Sequence, residues 1–115
     1  MLAMTLGYNE NYSEKAPEKE ALDHLAGYVL VEFGAPWCVH CQAAVSVIEC
    51  FMKAYPTMPH VKVFDGKGKR LGRQFGVKLW PSLILLKDGQ EIGRWVRVTK
   101  IENLDQAKAM LDHCG

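Results

Sequence analysis

Two cysteines three positions apart, Cys38 and Cys41 in the stretch Ala35-Pro36-Trp37-Cys38-Val39-His40-Cys41, are the residues of this chain best suited to chemistry. They follow an apolar run and open a segment with helical periodicity, so Cys38 falls where a helix begins. The unpaired N–H groups and partial positive charge of a helix N-terminus favour an ionised sulfur, which would make Cys38 a nucleophile near neutral pH. Cys41, one turn further on, can close a disulfide with it. The pair reads as a redox dithiol.

The elements that must hold this pair follow from the pattern on either side. Tyr28 to Phe33 reads as a strand covered on both faces, with Glu32 as the single charged exception. After the cysteines, Ala44, Val47, Ile48, Phe51, Met52 and Tyr55 recur at helical steps until Pro56 and Pro59 end the helix. Before the first strand, Leu22, Leu25 and Ala26 place a helix within Ser13 to Ala26, with Pro17 near its start and Gly27 after its end. Further strands are expected at Val61 to Phe64 and Leu83 to Leu86, separated by a short helix through Leu71 and Phe75. Asp88-Gly89 then signals a hairpin into Ile92 to Val98, because both turn residues tolerate positive φ. Thr99-Lys100-Ile101-Glu102 fits a capping box for a last helix carrying Ile101, Leu104, Lys108 and Leu111. With a strand near Met4 to Tyr8 the order is β-α-β-α-β-α-β-β-α, an α/β arrangement.

At 115 residues, 49% hydrophobic and 23% charged, the chain suits one domain, 1–115, with a core of ordinary size. A net charge of +1 gives no general pull toward nucleic acid or a membrane surface. The local run Lys67, Lys69, Arg70, Arg73 and Lys78 reads as a solvated helix face rather than a docking surface for an acidic partner. Met1 to Tyr8 lacks the basic and apolar regions of a secretory signal, and no apolar run approaches a bilayer span, so a cytoplasmic protein is expected. A leader removed before Met1 would leave the same pattern. Four cysteines are too few and too unevenly spaced for a secreted disulfide scaffold. Cys50 is expected to be a small buried apolar side chain and Cys114 a frayed terminal thiol, with a regulatory or intermolecular disulfide at Cys114 as the lesser reading. Zinc is disfavoured, since a structural site wants four ligands and no second Cys-x-x-Cys or His pair exists. His24, His60 and His113 are expected at the surface.

Four features together resemble the thioredoxin family along nearly the whole chain: the strand Val29-Leu30-Val31-Glu32-Phe33, the motif Trp37-Cys38-x-x-Cys41, the dipeptide Trp80-Pro81 before a strand, and the Asp88-Gly89 turn. The resemblance implies a thioredoxin fold, a central mixed sheet of four to five strands with helices on both faces. It implies a cis Pro81 packed against the cysteine pair, where an extended substrate chain can pair. It also implies that Cys38 attacks a protein disulfide, that Cys41 resolves the mixed disulfide, and that no cofactor beyond the Cys38–Cys41 dithiol is needed. Expected partners are protein thiols and disulfides and one redox partner, with the chain acting as a monomer. Glu32 occupies the family's buried acid position, where burial is expected to raise its pKa and let it exchange a proton with Cys41.

Several residues depart from the reductive members of that family. Val39-His40 stands where Gly-Pro is usual, and a histidine before Cys41 can stabilise the Cys38 thiolate and make the disulfide a better oxidant. Gly34 replaces a common aromatic and predicts a more open wall beside the site. Trp80 is bulky for its place and is expected, with Trp37 and Val39, to shape the substrate groove. Ser46 replaces a kinking proline. Arg97 falls near a glycine that faces substrate and would prefer acidic partners there. A second reading, a thioredoxin-fold binding or assembly module whose cysteines are incidental, is opposed by the intact set of Cys38, Cys41, Glu32 and Pro81.

Overall fold

The computed structural model describes residues 3–112, and the readings of His113 and Cys114 lie outside them. The strands are β1 (Met4–Leu6), β2 (Tyr28–Gly34), β3 (Pro59–Phe64), β4 (Ser82–Lys87) and β5 (Gln90–Val96). The helices are α1 (Lys19–Asp23), α2 (Val39–Lys53), α3 (Arg70–Gln74) and α4 (Asp105–Asp112), the last preceded by a 3-10 turn at Ile101–Leu104. One mixed sheet holds all five strands in the order β1-β3-β2-β4-β5, with β2 and β3 parallel and every other neighbour antiparallel. Parallel neighbours need a crossover rather than a hairpin, and α2 supplies it.

Successive side chains of a strand point to opposite faces, and the two faces of β2 are buried under different helices. Val29, Val31 and Phe33 join Leu22 of α1 and Leu71 of α3 in one core cluster. Leu30 joins Ile48 and Met52 of α2 and Ala107 and Leu111 of α4 in the other. Glu32 shares the parity of Leu30, so its carboxyl is carried beneath α2. The alternation that makes β2 a two-sided core strand thereby sends one carboxyl to the helix that bears the cysteines.

In α2 the buried positions are Cys41, Ala44, Val47, Ile48, Phe51 and Met52, one stripe at steps of three and four. The helix runs unbroken through Ser46. Three sequence expectations are corrected nearby. Helix α1 covers only five residues, because the preceding segment instead runs along β3, where Ser13 bridges Val63. Asn103 rather than Thr99 and Glu102 caps the last helical segment, its side-chain oxygen accepting the Thr99 and Lys100 N–H groups at 2.9 and 3.0 Å. Cys50 is exposed on the outside of α2 and not buried. Among the described residues no helix is long and apolar enough to cross a membrane.

The β4–β5 hairpin turns through Asp88 (φ 50°) and Gly89 (φ 80°), both left-handed as the dipeptide predicted. It docks on the loop before β2, where Gly27 donates its N–H to the Asp88 carboxylate at 2.7 Å. A β-carbon on Gly89 would run into the backbone carbonyl of Asp23, whereas one on Gly27 (φ 78°) meets nothing within 4 Å. Both substitutions carry the positive-φ cost of about 1 kcal/mol, but only one carries a clash. Gly89→Ala is therefore expected to lower the melting temperature by at least about 5 °C more than Gly27→Ala. Equal losses would show that the hairpin can lift off α1 freely.

Candidate active site

Register gathers the sequence-marked residues at one end of the sheet. Ser82 of β4 lies opposite Phe33 of β2, so Pro81 stands level with Gly34 and with the loop that leads into α2. The Asp65 N–H reaches the Gly34 carbonyl at 2.8 Å and brings the end of β3 to the same place. The Trp80–Pro81 peptide bond is cis, and Pro81 is buried. Cys38 is the N-cap of α2, and its sulfur accepts the Cys41 N–H at 3.2 Å, satisfying one of the donors a helix start leaves free. Both cysteines are free thiols, Cys38 half-buried and Cys41 only 2% exposed. The asymmetry follows from periodicity, since Cys41 is the first member of the buried stripe and Cys38 precedes the helix.

Around this pair, Val39 (74%) and Trp37 (63%) are exposed, with the indole set edge-on against Phe64 at 4.9 Å between ring centres. His40 is also exposed, and its side chain makes no hydrogen bond among the described residues. Across from them, Trp80 donates its indole N–H to the buried Asp65 carboxylate at 2.9 Å. The Trp80 carbonyl accepts the Arg97 Nε–H at 3.2 Å, while the Arg97 N–H reaches the Pro81 carbonyl at 2.9 Å. Arg97 has φ 53°, the left-handed backbone that glycine adopts most readily, and is exposed at the strand entry.

Glu32 is 1% exposed and does not stand alone. Its Oε2 accepts the Tyr12 hydroxyl at 2.9 Å, its Oε1 lies 2.9 Å from His60 Nε2, and Lys62 Nζ is 4.0 Å away. His60 is fully buried, which corrects its expected surface position. The backbone N–H of Asn9 points at His60 Nδ1 at 2.9 Å, so Nδ1 is an acceptor. An imidazole accepting there carries its proton on Nε2 and donates it to Glu32. The expected open wall at Gly34 is also corrected. A β-carbon there would lie 2.6 Å from both the Cys41 sulfur and the Tyr12 hydroxyl, so a phenol fills the space that the glycine leaves.

Tyr12, His60 and Lys62 were missed by sequence reasoning. For the last two a signal existed: His60 and Lys62 sit at alternate positions of an apolar strand, in parallel register with Leu30 and Glu32. Tyr12 lies in an irregular segment and gave none.

The Thioredoxin family model matches residues 10–109. The chain belongs to the thioredoxin family. It is 46% identical to thioredoxin 2 of Pseudomonas aeruginosa PAO1, solved in its reduced form, with a TM-score of 0.81 over 94% of this chain and 100% of that one. It is 37% identical to a thioredoxin of Chlamydia muridarum over 69% of this chain and 78% of that protein, and 34% identical to one of Chlamydia trachomatis over the same shares. As a member of that family it is a thiol–disulfide oxidoreductase with a Cys-x-x-Cys pair at the head of α2, and its five-stranded mixed sheet flanked by helices is the thioredoxin fold.

The Cys41 thiol is pushed up to about 11, chiefly by burial and then by hydrogen bonding to Cys38, while the backbone at Ala35 and the Tyr12 hydroxyl act the other way. A group whose folded pKa lies above its unfolded value stabilises the fold while protonated and ceases to as pH rises through the folded value. For Cys41 that contribution is complete below its ordinary 9.0 and disappears as pH passes about 11. The melting-temperature advantage of the reduced protein over its Cys41→Ala variant is therefore expected to shrink between about pH 9 and 11. A pH-independent difference would contradict the burial assigned to this thiol.

Proposed function

We propose that Cys38 is the attacking and Cys41 the resolving cysteine of an exchange with protein disulfides. The observation that carries this reading is the inequality of the two sulfurs, one at the helix start and half-buried, the other inside the apolar stripe of α2. Cys38 attacks the substrate disulfide and one substrate sulfur leaves as thiolate. Cys41 then attacks the Cys38 sulfur, forming the Cys38–Cys41 disulfide and releasing the second substrate thiol, so that two electrons pass to the substrate. The reverse sequence oxidises a dithiol. The pair is itself the redox group, and no cofactor enters.

Glu32, beneath the same helix, takes the Cys41 proton in this scheme. Trp37, Val39 and Trp80 line the approach beside Pro81, where an extended chain would lie, and Arg97 at the same rim favours acidic partners. The reading is of a monomer in the cytoplasm.

We further propose that the couple is more oxidising than ordinary thioredoxin. Support comes from His40, in the first turn of α2 between the two cysteines, where a positive charge favours a thiolate at Cys38 over the disulfide. The potential is expected between the values of about −270 mV for thioredoxin and about −120 mV for the strongest oxidase of similar chemistry. Equilibration with glutathione measures it, and His40→Pro is expected to move it downward. A wild-type value at about −270 mV would remove the oxidising role. Insulin reduction is expected to be abolished in Cys38→Ser, whereas Cys41→Ser traps a mixed disulfide through Cys38. Turnover surviving in Cys38→Ser would overturn the assignment of the nucleophile.

A further inference from the structure

We propose that the Tyr12 hydroxyl is the proton conduit between the Cys41 thiol and the Glu32 carboxylate, in a space that exists because residue 34 is glycine. The proposal rests on the reading that Glu32 receives the Cys41 proton. Tyr12 is 20 residues from Glu32 in sequence and is brought to it by the segment that runs along β3. Its O–H donates to Glu32 Oε2 at 2.9 Å, which leaves the oxygen's lone pairs for a donor on the other side. The Cys41 sulfur is close to the same oxygen, since each lies 2.6 Å from the place a β-carbon on residue 34 would take. Any larger residue at position 34 would occupy the place where thiol and phenol meet.

The groups facing Tyr12 leave the proton one destination. They are Glu32 from β2, Lys62 from β3, whose ammonium lies 4.5 Å from the phenol ring centre, and Cys41 from α2. Lys62 is a donor directed at the Glu10 carbonyl at 3.3 Å, and His60 already donates to Glu32 from Nε2, so neither takes the proton. During resolution the Cys41 S–H proton passes to the Tyr12 oxygen while the Tyr12 O–H proton passes to Glu32 Oε2. The electron pair left on the Cys41 sulfur forms the bond to Cys38, and the pair of the breaking Cys38–substrate bond leaves on the substrate sulfur. In the oxidising direction the same two protons return, and Cys41 leaves as a thiol. Both transfers are concerted: burial, and then the charge of Glu32, hold the Tyr12 phenol far above the usual range and disfavour a free tyrosinate. Beside the relay, a cleft of about 310 Å³ lined by Tyr12, Cys41, Gln42 and Lys62 offers water as a competing proton acceptor.

An aromatic disulfide that releases a coloured thiolate at each step separates the two reactions, the first set by Cys38 and the second by Cys41. At pH 7, Tyr12→Phe is expected to slow the second phase at least tenfold and to leave the first unchanged. The two rates should converge as pH rises toward the Cys41 value of about 11, where hydroxide does the work. Glu32→Gln is expected to slow the second phase similarly, with the double variant no slower than either. If Glu32→Gln is slow and Tyr12→Phe is not, cleft water carries the proton, which overturns the conduit and keeps the base. Should neither be slow, both readings fall. A loss in Tyr12→Phe by the same factor at every pH would mean that the phenol only packs, and would also overturn the proposal. Where Tyr12→Phe does not fold, the wild-type second phase in mixtures of light and heavy water decides: a curved dependence means two protons in flight, a linear one refutes the relay.

Discussion

A carboxyl group buried between a sheet and the helix laid over it governs how this molecule is built. Leaving the Glu32 oxygens without partners there would cost several kcal/mol, a large part of the stability of a domain this size. The remedy is distributed along the chain. Tyr12 comes from the irregular segment before α1, His60 and Lys62 from the neighbouring parallel strand, and Asn9 holds His60 in the orientation that donates. Asn9 is itself anchored, its amide nitrogen donating to the Ala3 carbonyl at 2.8 Å and to the His60 carbonyl at 3.1 Å. One acidic residue thus dictates the path of residues that a generic β-α connection would leave unspecified.

The inequality of the two thiols has an equally plain source. An amphipathic helix buries a stripe, and the residue one turn inside its start either joins that stripe or does not. Cys41 joins it, Val39 and His40 do not, and Cys38 remains at the cap with backbone N–H groups before it. Packing of α2 on the sheet therefore assigns different surroundings to two chemically identical side chains, with Gly34 leaving the gap into which a phenol is directed.

Much of this was legible in the residues themselves. The strand through Glu32, the helix opening at Cys38 and the Asp88-Gly89 hairpin are local patterns, and local patterns are what periodicity and turn chemistry report. What escaped was contact between distant segments. Pro17 and the stretch before it suggested a helix start, yet pairing of Ser13 with β3 and the hydrogen bond from Tyr12 to Glu32 outweigh the helical preference of that stretch. His60 escaped because its place beside Glu32 depends on the parallel register of β2 and β3, and its alternation with Lys62 in an apolar strand does not by itself name that partner. Gly34 misled for a related reason, since a missing side chain says nothing about which distant atom fills its place.

The edges of the sheet have a bearing on what the active end is asked to do. If an extended chain is received beside Pro81, as proposed above, the same backbone pairing must not be on offer elsewhere, or copies of the protein would compete with the substrate. At one margin β1 is only three residues long. At the other, β5 breaks register against β4 at Leu85/Leu86 and carries the paired charges Glu91 and Arg94, 2.7 Å apart. Brevity on one side and an irregular, charged ribbon on the other make both margins poor templates for edge-to-edge pairing, which leaves the strand-like recognition proposed above to the end where the sulfurs lie.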